Sequence, residues 1–102
     1  MPPDLEILRQ RFANRDYILT VHASNRAATR AVRGHEIEEA IATGDVIEDY
    51  PDDKYGPSCL IMGITENGRI LHIQTNYPPI VKVITVYEPS PDEWEADSKT
   101  RK

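Results

Sequence analysis

Asn67-Gly68 stands between two apolar runs, Cys59-Leu60-Ile61-Met62-Gly63-Ile64 and Ile70-Leu71-His72-Ile73. An Asn-Gly pair in that setting is the strongest short-range hairpin signal, because a type I′ turn needs positive φ at both central residues. The chain is thereby committed to an antiparallel sheet in its second half. A two-residue loop pairs Glu66 with Arg69, Thr65 with Ile70, Ile64 with Leu71, Gly63 with His72 and Met62 with Ile73. In that register Leu60, Met62, Ile64, Leu71 and Ile73 form an apolar face. Ile61, Gly63, Thr65, Ile70, His72 and Gln74 form a mixed one, with His72 turned away from the main core above a glycine.

Further strands are expected at Val46–Tyr50 and Ile80–Tyr87, with looser connections at Pro51-Asp52-Asp53 and Asn76-Tyr77-Pro78-Pro79. The first half reads differently. Leu5, Leu8 and Phe12 follow Pro2-Pro3 at helical spacing and predict a short amphipathic helix. Tyr17-Ile18-Leu19-Thr20-Val21 has strand composition. From His22 to Val32 the pattern is helical, with Ala23, Ala27 and Ala31 making a small-residue face for close packing. Gly34 stops or bends that helix, and Glu36–Thr43 forms another. Ser90-Pro91-Asp92-Glu93 is a capping box that predicts a short C-terminal helix, pinned by Trp94. The expected architecture is α+β: N-terminal helices packed on a C-terminal antiparallel sheet, as one domain over residues 1–102. Residues 1–16 hold the first helix, 17–94 the core and 95–102 a frayed tail.

Composition narrows the class. The 102 residues are 39% apolar and 28% charged, which suits a globular domain with one core. The lone cysteine, Cys59, has no partner in the chain, so an internal disulfide is excluded and a reducing compartment is expected. Its apolar neighbours make it a packed thiol rather than a nucleophile. No segment has the ~20 apolar residues of a membrane span, and the first residues lack signal-peptide character. The expected location is the cytoplasm.

Net charge is −5, but it is unevenly placed. Residues 1–35 carry six Arg against three acids, whereas residues 36–54 carry eight acids and one Lys. A local basic patch can bind an anion on an acidic molecule. His22, Arg26, Arg30 and Arg33 fall within about 80° of one another around a helix. Their mutual repulsion rules out a helix-stabilising purpose. Guanidinium forks suit phosphate oxygens. The alternative is an Arg face that is solvated, or neutralised by the acidic run from Asp45 to Asp53. His72, alone in its strand, is either structural or converges with His22 on one phosphate. Thr85, Tyr87 and Glu88 end the last strand, where they can orient a histidine, bind substrate or simply pack under Trp94. Ser58 opens its strand beside a Gly-Pro turn. No zinc-ligand spacing, glycine-rich phosphate loop or nucleophile elbow is present.

Several stretches, in this order, carry a resemblance. They are Thr20-Val21-His22-Ala23 with Arg26 and Arg30, Gly44 to Asp53, Pro57-Ser58-Cys59-Leu60, Gly68-Arg69-Ile70-Leu71-His72, and Thr85-Val86-Tyr87-Glu88-Pro89 running to Trp94. Together they resemble the bacterial domain-of-unknown-function family numbered 4258, from about Tyr17 to Trp94. The resemblance implies a RelE/barnase-like toxin fold and kinship with RelE-, BrnT- and MqsR-type toxins. It also implies a small zinc-finger antitoxin as partner. The residues it carries over are His22, Arg26, Arg30, Ser58, His72 and Tyr87. The family's usual start to the second helix is altered here around Arg33-Gly34-His35, so Arg33 and His35 lie outside that correspondence.

The functional expectation is a toxin-like endoribonuclease that needs no metal or other cofactor. RNA supplies its own nucleophile, the 2′-hydroxyl. His22 and His72 would share the acid–base work, with Arg26 and Arg30 on the phosphate and Tyr87 assisting; Arg33, Ser58, Thr85 and Glu88 would contact substrate. The competing expectation is a non-catalytic module that docks an acidic protein partner or a small anion through the Arg stripe. The nuclease expectation requires both imidazoles to reach one cavity.

Overall fold

The computed structural model describes residues 4–54 and 56–102. Helix α1 spans Leu5–Ala13, strand β1 Ile18–Leu19, helix α2 Val21–Thr29 and helix α3 Gly34–Thr43. Strands β2 (Asp45–Tyr50), β3 (Ser58–Ile64), β4 (Ile70–Asn76) and β5 (Lys82–Tyr87) follow. The class is α+β, with a five-stranded sheet in the order β1-β5-β4-β3-β2. That sheet is mixed rather than wholly antiparallel, because β1 runs parallel to β5. Only Ile18 and Leu19 of the expected 17–21 strand pair, since Thr20 already serves as the N-cap of α2.

The helices cover one face of the sheet. Asp4 caps α1 by accepting from the Glu6 and Ile7 amides, and Leu8 and Phe12 bury its inner side. Ile37, Ala40 and Ile41 do the same for α3, which packs on β3 and β4. Beneath the helices lie Cys59, Ile61, Leu71, Ile73, Val83 and Val86. At ~2 kcal/mol for each fully buried large aliphatic side chain, this single cluster dominates the fold's stability. Gly63 is the point of closest approach. A Cβ built there would lie 1.9 Å from the Ala40 carbonyl oxygen, so only glycine lets α3 sit so close to β3.

The β3–β4 register differs by one residue from the expected one. Ile64 pairs with Ile70, Gly63 with Leu71, Met62 with His72 and Ile61 with Ile73. The loop has three residues, not two. The Gly68 amide donates to the Thr65 carbonyl at 2.9 Å and the Thr65 amide to the Arg69 carbonyl at 2.8 Å. Within this turn Gly68 takes positive φ, +84°. This is a type I turn closed by a glycine bulge, the alternative that the same dipeptide supports. The slip moves Ile61 to the helix side and leaves Leu60 and Met62 with His72 on the opposite face.

That opposite face has its own cover. The expected C-terminal helix is absent: Ser90 accepts from the Glu93 and Trp94 amides through its carbonyl, closing a single turn. Nor are residues 95–102 frayed. Trp94 bridges Arg101, and the Glu95 amide donates to the Thr100 carbonyl at 2.7 Å, folding the segment back over the sheet. Trp94 is buried beneath it. The acidic β2 finds its cations here: Arg101 pairs with Glu48 at 2.8 Å and Lys99 with Asp45 at 3.3 Å. Among the described residues, no helix is long and apolar enough to cross a membrane.

Candidate functional site: a basic groove beside the last strand

Helix α2 lies against β5 because Ala23 and Ala27 present almost no side chain to it. Its first turn is tied to the same strand. The Thr20 amide donates to the Val83 carbonyl, the Thr20 hydroxyl donates to the Ile84 carbonyl at 3.3 Å, and Thr20 Oγ1 accepts from the Ala23 amide at 3.0 Å. At the other end Ala31 takes positive φ, +53°, and the chain leaves the helix. The carbonyls exposed there are taken up by Arg69, whose guanidinium donates to the Arg30 and Ala31 oxygens. The same guanidinium pairs with Glu36 at 3.3 Å and Glu88 at 3.0 Å. Arg69 thus locks α2, α3 and the end of β5 together. It stands inside the family-like Gly68–His72 stretch, but sequence reasoning gave it no role. Its position one residue past the turn was the available signal.

Between α2 and the end of β5 opens a groove of about 410 Å³. His22, Arg26 and Arg30 form one wall; Thr85, Tyr87 and Glu88 form the other. The folded-back C-terminal segment supplies the rim through Glu93, Trp94 and Arg101. Six of the expected site residues therefore meet in one place. The Arg26 and Arg30 guanidinium groups make no ion pair with any described residue. The acidic run from Asp45 to Asp53 does not neutralise them. Glu88 and Glu93 add opposing charge, but Glu88 is already held by Arg69.

Three expected residues lie elsewhere. Arg33 falls off the stripe because α2 ends at Thr29; it is the N-cap of α3, its amide donating to Glu36 at 3.0 Å. Ser58 is fully buried and accepts a hydrogen bond from the Gln74 amide at 3.1 Å. His72 is 0% exposed, so the two imidazoles do not face a common cavity. It lies directly behind the groove instead. Its Nε2 is 2.6 Å from the Ser98 carbonyl and its Nδ1 3.3 Å from the Tyr87 hydroxyl. A carbonyl can only accept, so Nε2 carries the proton and Nδ1 accepts from Tyr87. Trp94 stacks edge-on against the ring at 4.4 Å. Burial lowers the His72 pKa against the opposing pull of the Ser98 carbonyl and Glu48, and burial raises that of Tyr87. At neutral pH the imidazole is an uncharged acceptor one hydrogen bond away from a groove residue.

Cys59 is fully buried, and burial followed by the Asp49 charge pushes its thiol up to about 12. It is packing, not a nucleophile. Among the described residues no three His, Cys, Asp or Glu side chains gather as metal ligands.

The fold and groove define a small α+β domain with a cleft between α2 and β5 lined by His22, Arg26 and Arg30. Residues 19–88, more than half of the chain, match the family described as "Domain of unknown function (DUF4258)", and the chain belongs to that family. The matched span includes every groove residue of α2 and β5, and Arg69. The C-terminal segment lies outside it. No curated protein matches the chain, and no solved structure does.

Proposed function

We propose that the protein is a toxin-like endoribonuclease that cleaves RNA by attack of a 2′-hydroxyl on the neighbouring phosphate. The observation that carries this reading is a pair of guanidinium groups, Arg26 and Arg30, that enter no ion pair with a described residue and share one groove with His22 and Tyr87. The reaction forms a bond from the 2′-oxygen to phosphorus and breaks the bond to the 5′-oxygen. One proton must leave the first oxygen and one must reach the second. His72 does not enter the groove, so the direct pair of imidazoles expected from the sequence gives way to a relay: the Tyr87 phenol oxygen takes the 2′-proton while the phenol's own proton passes to Nδ1 of His72. His22, on the opposite wall, protonates the departing 5′-oxygen. Arg26 and Arg30 hold the equatorial oxygens as charge builds on them. The substrate is single-stranded, since a duplex fixes its sugar and phosphate away from in-line attack. Kinship with RelE-, BrnT- and MqsR-type toxins, action in the cytoplasm and restraint by a small zinc-finger antitoxin complete the proposal.

The competing reading keeps the same groove without chemistry, as a docking point for an acidic partner or a small anion. The burial of His72 favours it, since of the expected acid–base pair only His22 reaches the groove. Purified protein incubated with single-stranded RNA decides between the two. Cleavage should fall about 100-fold in both His22→Ala and Arg26→Ala, the usual loss when one transition-state partner is removed. Wild-type cleavage by both variants, or no cleavage and no growth arrest on expression of the unaltered chain, leaves only the docking reading.

A further inference from the structure

A second cavity, about 540 Å³, adjoins the groove, and His22 and Thr85 line both. The volume falls within the ~300–1,000 Å³ typical of small-ligand sites. The two cavities together follow β5 from Lys82 to Tyr87, a track of about 17 Å at strand spacing. Their linings differ. The groove is dominated by guanidinium and imidazole, whereas the second cavity combines an apolar wall from Ile84 with the side-chain amides of Gln74 and Asn76. Lys82 and Lys54 stand at its edge, both exposed. The Gln74 amide donates one hydrogen bond to buried Ser58, which fixes the side chain and leaves one N–H and the carbonyl oxygen for a ligand.

Amides on a rigid strand beside an apolar surface are the groups that recognise the edge and face of an unstacked base. From this juxtaposition we infer that the second cavity is a nucleobase subsite. It receives the base next to the phosphate bound by Arg26 and Arg30, so the substrate is a single-stranded RNA read at one base. The inference rests on the phosphate reading of the groove and adds specificity to it. Lysines at the cavity's edge contribute only general attraction to the backbone, and Asn76 is held to the Pro57 carbonyl, so the discrimination falls to Gln74.

The test uses the full chain labelled with nitrogen-15 and titrated separately with inorganic phosphate, uridine 3′-monophosphate and adenosine 3′-monophosphate. Phosphate should move the amide resonances around Arg26 and Arg30 alone. At least one nucleotide should move these and also Gln74, Ile84 and Thr85, and bind about fivefold more tightly than phosphate, the worth of one good hydrogen bond. Gln74→Ala should erase that advantage without changing phosphate affinity. Because Gln74 also supports Ser58, Ile84→Ser, which removes the cavity's apolar wall, supplies a second variant with the same expected loss. If both nucleotides perturb only the residues that phosphate perturbs, the base subsite is refuted and the phosphate groove stands. If neither phosphate nor nucleotide perturbs the groove, both readings fall together.

Discussion

Both ring nitrogens of His72 are engaged inside the protein, and this determines how the molecule responds to acid. Burial lowers its pKa below the ~6.5 of an unfolded histidine. Between those two values the unfolded chain binds more protons, so stability rises with pH there and is lost as pH falls. Melting temperature should therefore drop on acidification through pH ~6.5, and the drop should be smaller in His72→Gln, measured by circular dichroism. Glu48 acts in the same sense at lower pH. Burial pushes its carboxyl upward, but hydrogen bonds from Arg101 and Tyr50 outweigh it and hold the group below its usual range. Arg69 shows a different kind of sensitivity. Arg69→Met would leave the buried Glu36 carboxylate with only the Arg33 amide and no cation, and two carbonyls at the end of α2 without their donor. The loss should be about 2–3 kcal/mol in chemical denaturation. Groove residues were legible at this scale because arginines on one helix face resist a structural explanation. Arg69 was not, since its value lies in touching three elements that are far apart in sequence.

At the level of elements, the helices and strands could be read from periodicity, whereas the contacts between them could not. An Asn-Gly pair allows both a two-residue and a three-residue loop, and local chemistry separates them poorly. The tertiary demand decided. Gly63 must face α3 for the helix to reach the sheet, and only the three-residue loop puts Gly63 and Leu71 together on that side. Gly63→Ala should accordingly destabilise by about 2–3 kcal/mol through overpacking against the Ala40 carbonyl, lowering the melting temperature by about 10–20 °C. The extent of α2 was misjudged for a related reason. The alanine spacing continues to Ala31, but Arg69 captures the carbonyls of Arg30 and Ala31 and turns the chain out. Arg33 therefore left the stripe that the helical pattern had given it.

Across the whole molecule, the segment from Trp94 to Arg101 acts as the second layer of a sheet that has helices on one face only. Sequence reasoning took it for a loose end because it lacks any periodic apolar pattern. Its hold comes from one tryptophan, one carbonyl on His72 and two ion pairs to β2. Trp94→Ala should cost about 3–5 kcal/mol, the range for emptying a buried large aromatic site. The His72 ring should then titrate nearer its unfolded value, a change visible in its proton resonances. The pairing of β1 with β5 sets the remaining distance scale, joining Ile18 to Lys82. Helix α2 has its main support on β5, the final strand. During synthesis the basic helix emerges early from the ribosome but has no strand to lie on until residues 82–87 follow it. The ribosome-bound chain, itself surrounded by RNA, therefore carries arginines without a groove until translation has passed that strand.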